Sequence, residues 1–101
     1  MADLPRLSKL EVQIMDLLLK KPVEGMYGAQ IIEQGVAEGS TYTTLARMVD
    51  KGFVESYRDE PESGPKRRYF KLTASGKYSI VAHHRMAEVA AVVAGELGVA
   101  G

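Results

Sequence analysis

Five hydroxyl-bearing side chains follow one another near the middle of the sequence: Ser40, Thr41, Tyr42, Thr43 and Thr44. The pattern after Gly39 predicts that they occupy the first turns of a helix, where free backbone N–H groups attract phosphate. Their hydroxyl groups could bond to phosphate oxygens or to the edges of bases. Arg47 lies three residues after Thr44 and four after Thr43. It should therefore share their exposed face, and it could contact a guanine.

These residues also have ordinary structural explanations. Ser40 could be only an N-cap, and Tyr42 only a residue at the edge of the core. Arg47 could be a solvated arginine paired with Asp50, three residues further on. Lys51 is better explained by attraction to the helix dipole, with a phosphate contact in second place. Consecutive β-branched threonines lower helix propensity, which favours a functional explanation for the cluster.

A second set of candidate residues is basic and lies beyond this helix: Arg58, Lys66, Arg67, Arg68 and Lys71. Because side chains alternate along a strand, Arg67 and Lys71 should share one face, whereas Arg68 should point to the rim of the core side. We therefore expect phosphate contacts from Arg67 and Lys71 before Arg68. Three acidic residues oppose the prediction, since they would repel DNA: Asp59, Glu60 and Glu62.

Periodicity, capping residues and turn residues predict the elements that must position these side chains. The predicted elements are helices over about residues 9–20, 27–34 and 39–51, strands over 53–58 and 67–72, and a long helix over about 74–97. The residues expected to face the core from the second and third helices are Ala29, Ile31 or Ile32, Leu45, Met48 and Val49. The predicted fold class is mainly α with a two-stranded β-wing (α+β), a winged helix-turn-helix followed by a long helix.

The last helix carries a heptad-like apolar seam at spacings of four and three residues: Tyr78, Ala82, Met86, Val89, Val93 and Leu97. At 1.5 Å per residue the helix would be about 36 Å long, more than a small core can cover. We therefore expect residues 1–73 to form a DNA-binding domain and residues 74–101 to form a dimerisation helix, within one continuous unit. The expected assembly is a homodimer.

The bulk composition fits one globular domain of 101 residues that is 46% apolar. Thirteen basic residues balance thirteen acidic ones, yet residues 63–87 contain six Lys or Arg and no Asp or Glu. Local charge, rather than the total, determines the field that a ligand meets. No signal-peptide pattern or membrane-spanning stretch is present, so the sequence predicts a cytoplasmic protein without a membrane partner.

The residue pattern indicates neither catalysis nor metal binding. There is no Gly-rich phosphate loop, nucleophile elbow or cysteine, so we expect neither an enzyme nor a cofactor. His83 and His84 are adjacent, and adjacent helical residues point about 100° apart, which prevents both from binding one ion. The sequence therefore predicts no metal site.

Three segments resemble the PadR-type bacterial transcriptional regulators, in particular their short subclass, and together they span about residues 7–78. They are LSKLEVQIMDLLLKKPVEGMYGAQIIE, GSTYTTLARMVDKGFVES and GPKRRYFKLTASGK. The chain departs from the family pattern at Thr43, where proline is usual, and at Thr41, where an aliphatic residue is usual. The resemblance implies a sequence-specific regulator, most simply a repressor, that binds double-stranded DNA at a pseudo-palindromic operator as a homodimer. It also implies a small-molecule effector that could release the DNA.

Two other classes of function are compatible with the sequence. One is a winged helix that binds another protein; replacing Arg47 and Arg67 would then leave partner binding intact. The other is a ligand or metal sensor with a secondary DNA role, which a ligand-dependent rise in thermal stability would reveal.

Overall fold

The structure, a computed structural model, describes residues 6–96. The elements are α1 (Lys9–Leu19), β1 (Met26–Tyr27), α2 (Gly28–Glu33), α3 (Glu38–Asp50), β2 (Val54–Asp59), β3 (Arg67–Leu72) and α4 (Ala74–Glu96). Four helices and two long strands therefore follow the predicted order. α3 begins earlier than predicted, with Ala37 as its N-cap, so Ser40 lies inside the helix and does not cap it.

The wing is part of a three-stranded antiparallel sheet of order β1-β3-β2, so the prediction of a two-stranded ribbon is wrong in strand number. Met26 pairs with Phe70, and Tyr27 with Tyr69. A strand of two residues is too short for alternation to show, and Tyr27 had been assigned to the second helix. Gly25 makes the pairing possible: its φ is +70°, and a Cβ there would overlap the Phe70 carbonyl.

The core lies between α1, the inner face of α3 and one face of the sheet. Its fully buried apolar side chains include Ile14, Met15, Leu18, Ile31, Leu45, Met48 and Ile80. Ala29 and Val49 were predicted to face the core, but both are exposed. In α3 the buried residues are instead Thr41, Thr44, Leu45 and Met48, which the helical repeat brings onto one face.

The junction between β3 and α4 is tied to the loop that follows α3. The Thr73 N–H donates to the Phe53 carbonyl at 3.0 Å, and the Thr73 hydroxyl donates to the Gly52 carbonyl at 2.6 Å. Thr73 also accepts from the Gly76 N–H at 3.0 Å, as the predicted cap should. Gly76 thereby lies directly against the Phe53 backbone.

α4 packs on the core only through its first turns, where Gly76, Ser79 and Ile80 are buried. From His84 to Val93 every side chain is exposed. The described residues extend 60 Å along their longest axis, since the second half of the helix projects away from the domain. None of the helices in residues 6–96 is long and apolar enough to cross a membrane.

Candidate nucleic-acid interface

After Glu38, the first residue of α3, the exposed side chains of this helix form a central row with one flank on each side. The central row is Gly39, Thr43, Ala46 and Asp50. One flank is formed by Ser40 and Arg47, and the other by Tyr42 and Val49. This arrangement follows from the helical repeat, which brings residues three and four apart onto the same side. The two small residues of the central row allow a partner to approach the helix backbone closely.

Three of the five hydroxyl candidates, Ser40, Tyr42 and Thr43, are therefore exposed. Thr41 and Thr44 are not: their exposed fractions are 0% and 6%. The Thr41 hydroxyl donates to the Ala37 carbonyl at 2.7 Å, which satisfies its polar group within the helix. The expectation that Thr44 shares an exposed face with Arg47 is wrong, because Thr44 faces the core.

Tyr42 is 55% exposed, and its ring packs over the start of α2. A Cβ at Gly28 would collide with that ring, so only glycine allows the two helices to approach this closely. Tyr42 is consequently held beside the sheet, where it lines the groove described below.

Arg47 remains a candidate on the exposed face. In the part of the chain that the structure describes it forms no ion pair, so the alternative pairing with Asp50 is not formed. Together with Ser40 and Thr43 it lines a shallow depression of about 350 Å³ that also includes Ser8 at the start of α1. A group bound there would meet hydroxyls and one guanidinium.

The two faces of the wing differ in charge balance. On the outer face, Lys71 lies across from Glu55 and pairs with it at 3.4 Å. Arg67 lies across from Asp59 on that same face. Each outer basic residue thus has an acidic cross-strand neighbour, and such opposite-charge pairs stabilise a sheet. This explains the presence of Asp59, one of the three acidic residues near the tip.

The opposite face of the wing brings two arginines together. Arg58 and Arg68 are direct cross-strand partners, and like charges at that spacing destabilise a sheet. Arg58 reaches Glu60 at 3.7 Å, and Arg68 donates to the Ser56 hydroxyl at 3.2 Å. The pair remains largely exposed to solvent, where an anion such as phosphate would offset its repulsion.

This arginine face borders a groove between the wing and the helices. The groove has a volume of about 660 Å³, and its lining includes Tyr27, Tyr42, Lys66, Arg67, Arg68 and Phe70. Arg68 also lines the adjoining cavity against α3, with Tyr42 and Ala46. The wing groove, as we call these two cavities, thus joins the basic wing to the exposed flank of α3.

The wing groove places Arg68, rather than Lys71, beside α3. Arg68, which sequence alternation placed last, lies next to α3. Lys71 lies on the other face, with its ammonium 5.6 Å from the centre of the Tyr57 ring. Arg67 lines the far end of the groove, with its guanidinium carbon 4.4 Å from the centre of the Tyr27 ring. The reason is that alternation defines two faces of a strand, whereas the packing of the sheet determines which face meets α3.

Lys51 is engaged in a different interaction from the two considered in the sequence. Its ammonium lies 3.0 Å from Glu11 Oε2 on α1, and the Glu11 residue is 4% exposed. The other Glu11 oxygen accepts from the Ser8 N–H at 2.9 Å, completing the predicted capping box. Burial by itself would raise the pKa of the Glu11 carboxyl, but hydrogen bonds from Ser8 and Lys51, with the Lys51 charge, hold that pKa below its ordinary 4.5.

Glu11→Gln should remove part of the acid sensitivity of folding. A carboxyl whose pKa is lower in the folded state stabilises the fold fully above its unfolded value of 4.5, and this stabilisation is lost as the pH falls through the folded value. Urea unfolding between neutral pH and about pH 3 should therefore show a shallower acid decline for this variant than for the parent. Glu33→Gln, at an exposed position, should keep the parent's decline; an equally steep decline for Glu11→Gln would contradict the assignment.

The residues of the predicted dimer seam are mostly exposed in the part of the chain that the structure describes. Exposed fractions are 67% for Tyr78, 55% for Met86, 53% for Val89 and 45% for Val93, while Ala82 is half-buried. Leu97 lies outside the described residues. Large apolar side chains at these exposures on one helix side form the kind of patch that mediates association.

The two histidines have separate surroundings. His84 Nε2 lies 2.7 Å from Asp16 Oδ1 on α1, which joins α4 to α1, whereas the His83 ring only meets that of His84 edge to face. Within residues 6–96 no group of three or more His, Cys, Asp or Glu side chains could hold a metal ion.

Known proteins share this fold. Residues 14–82 match the Transcriptional regulator PadR-like family. A PadR family transcription regulator from Clostridium difficile R20291 is 26% identical, with 89% of this chain and 98% of that chain covered at a TM-score of 0.75. A PadR-like transcription factor from Bacteroides fragilis is also 26% identical, with 87% and 88% covered and a TM-score of 0.73. No curated protein sequence matches the chain significantly.

A PadR-like regulator from Bacillus cereus has the same fold, with a TM-score of 0.69 at 23% identity over 91% of this chain and 93% of that one. The family match covers more than half of the chain, and it includes α2, α3 and the whole wing. Members of the family regulate transcription and are not enzymes. The chain therefore belongs to the PadR-like family of transcriptional regulators, and it is a DNA-binding regulator with a winged-helix fold.

Proposed function

We propose that the protein is a homodimeric repressor that binds a pseudo-palindromic operator through α3 and the wing. The observation that carries this proposal is the Arg58–Arg68 pair across the wing, because Arg68 lines the same groove as Tyr42 and Ala46 of α3. A repulsive pair of this kind has a simple explanation if DNA phosphates bind between the two arginines. Within residues 6–96 Arg58 has Glu60 as an acidic partner at 3.7 Å, but Arg68 forms no ion pair, and a phosphate would offset its charge.

In the proposed complex α3 lies in the major groove, which is wide enough to admit one helix. Ser40, Thr43 and Arg47 contact bases or nearby phosphates, and the glycine and alanine of the central row allow close approach. Tyr42 lies beside the sugar–phosphate backbone at the entrance to the wing groove. Arg58, Lys66, Arg67 and Arg68 then bind phosphates that flank the recognised bases.

The second half of α4 joins two protomers in this proposal, as the predicted division at residues 73 and 74 implies. Its apolar seam would pack against the same seam of a second copy, because a two-fold interface uses one surface twice. The two α3 helices would then meet successive major grooves about 34–36 Å apart. A small-molecule effector could act by changing the angle between the two heads, near α1 and the seam around Tyr78, Ala82 and Met86.

Selection of bound sequences from random duplex DNA tests the proposed function. We expect enrichment of a two-fold-symmetric motif whose half-site centres are about one helical turn, or 10–10.5 base pairs, apart. Enrichment without symmetry would contradict the dimeric arrangement. A protein that retains no duplex at low salt would contradict DNA binding through this surface and would favour the protein-interaction alternative.

Arg68→Ala should weaken binding to every duplex sequence and reduce the salt dependence of affinity. One lost phosphate contact lowers the slope of log affinity against log salt by about 0.9. Lys71→Ala is the matched control, since Lys71 lies on the other face of the same strand and pairs with Glu55. Titrations at several salt concentrations should therefore show a smaller slope of log affinity against log salt for Arg68→Ala, and the wild-type slope for Lys71→Ala. A larger change for Lys71→Ala would mean that the outer face binds the DNA.

A further inference from the structure

One charged contact joins the end of the proposed recognition helix to α1. Lys51 is the C-cap of α3, and its ammonium lies 3.0 Å from Glu11 Oε2. The Glu11 side chain is 5% exposed, whereas that of Lys51 is 40% exposed. The contact spans 40 positions in the sequence, so it is tertiary rather than part of helix formation.

The capping box alone does not account for this pair. Glutamine at the same position would also accept a hydrogen bond from the Ser8 N–H, since capping boxes use either residue. A buried carboxylate is more costly to desolvate and is retained only where a positive partner compensates it. Movement of Lys51 away from this contact would leave the negative charge of Glu11 unpaired in the interior, which is unfavourable. This cost restrains the C-terminal end of α3.

The rest of α3 is held by the packing of residues such as Leu45 and Met48, and within residues 6–96 it forms no ion pair. Its N-cap is Ala37, which makes no side-chain capping hydrogen bond, and two of its four buried residues are threonines. Thirteen residues give a helix of about 20 Å, so a rotation of roughly 10° about one end would move the other by roughly 3 Å. Such a displacement is as large as a hydrogen-bond length and would misplace Thr43 and Arg47 relative to bases.

We propose that Lys51 is a positioning residue for operator recognition: through Glu11 it fixes the angle between α3 and α1 and does not itself bind phosphate. This inference rests on the proposed operator binding and adds a residue that acts away from the DNA. α1 is joined in turn to α4 by the His84–Asp16 contact of 2.7 Å. The Lys51–Glu11 pair therefore lies on a connection between the dimerisation helix and the recognition helix that runs through α1, separate from the one through Thr73 and Gly52.

Glu11→Gln and Lys51→Met test the inference in the full-length protein. Glutamine keeps the Ser8 hydrogen bond without the charge, and methionine keeps much of the lysine stem without the ammonium. Lys51→Arg retains the charge and should keep operator binding. Lys20→Met is the matched control, because Lys20 is the C-cap of α1 and forms no ion pair within residues 6–96. The DNA is the symmetric sequence selected by the wild-type protein, beside an unrelated duplex of equal length.

The expected result is a loss of specific binding alone. Operator affinity should fall about 5- to 150-fold for Glu11→Gln and Lys51→Met, the effect of one lost base contact. Affinity for the unrelated duplex and the salt slope should not change. The double variant should have the same operator affinity as the single variant that binds more weakly, since the two substitutions remove the same contact. Because Glu11 is buried and carries a negative charge, its variant cannot lose operator affinity through a missing phosphate contact.

Three other outcomes would overturn the inference. A salt slope lowered by about 0.9 for Lys51→Met, with unchanged binding by Glu11→Gln, would make Lys51 a phosphate contact. Reduced stability in urea with unchanged operator affinity of the folded protein would leave the pair a purely structural role. If the wild-type protein selects no operator, the proposed function fails first and the inference fails with it. Should Lys51→Met not fold, Glu11→Gln and Lys51→Arg together still decide the question.

Discussion

Val89→Glu should convert the proposed dimer to a monomer at micromolar concentration. Val89 lies in the middle of the exposed seam of α4, with 53% of its surface accessible. In a self-complementary interface one substitution introduces two carboxylates close to the two-fold axis, and their burial without partners is strongly unfavourable. Sedimentation of the variant should therefore give the mass of one chain.

The same substitution should reduce operator affinity by roughly 10²- to 10⁴-fold, because a monomer loses the gain from binding two linked half-sites. Ala91→Glu is the matched control: Ala91 is exposed on the same part of α4 but lies on the side opposite the seam. It should remain a dimer and keep its operator affinity. A Val89→Glu protein that still sediments as a dimer would place the interface elsewhere.

Gly76→Ala should lower the free energy of unfolding by about 2–4 kcal/mol. A Cβ at this position would overlap the Phe53 carbonyl oxygen and lie 2.9 Å from its carbon. The Phe53 backbone cannot easily retreat, since its carbonyl accepts from the Thr73 N–H at 3.0 Å. α4 would then shift away from the sheet, and the Thr73 contacts that join it to the loop after α3 would be strained. The whole free energy of unfolding of a small domain is only about 5–15 kcal/mol.

Gly95→Ala is the control for helix propensity in the same helix, because a Cβ there would meet no atom of residues 6–96 within 4 Å apart from the backbone of its own helix. It should stabilise the protein by up to about 1 kcal/mol, the usual difference between the two residues. Urea unfolding of both variants measures the contrast. Equal stabilities for the two alanine variants would show that α4 can move from Phe53 without cost.

The elements that the sequence predicted well depend on local interactions. Both hydrogen bonds of the Ser8–Glu11 capping box are present, and Thr73 caps α4. Gly52 has a φ of +81°, as its predicted position after a helix requires. These features involve residues three or four apart, so neighbouring residue types are enough to specify them. The PadR-type resemblance also rested on such segments, and the family match confirms it.

The burial of Thr41 corresponds to a signal that is present in the sequence. The related family usually has an aliphatic residue at this position, which is typical of an inward-facing site. The structure buries Thr41 fully, with its hydroxyl bonded to Ala37. A cluster of hydroxyls thus divides between core and surface according to helix phase, although all five residues have similar chemistry.

The sequence by itself determined the helices, the basic composition of the wing, the apolar seam of α4 and the family. Only the tertiary structure decided which side chains of these elements meet. The pairing of β1 with β3, the contact of Arg58 with Arg68 across the wing, and that of Lys51 with Glu11 join residues 10 to 44 positions apart. The physical reason is that alternation and helical repeat specify faces within one element. Strand register and the packing of sheet against helix then determine what each face contacts.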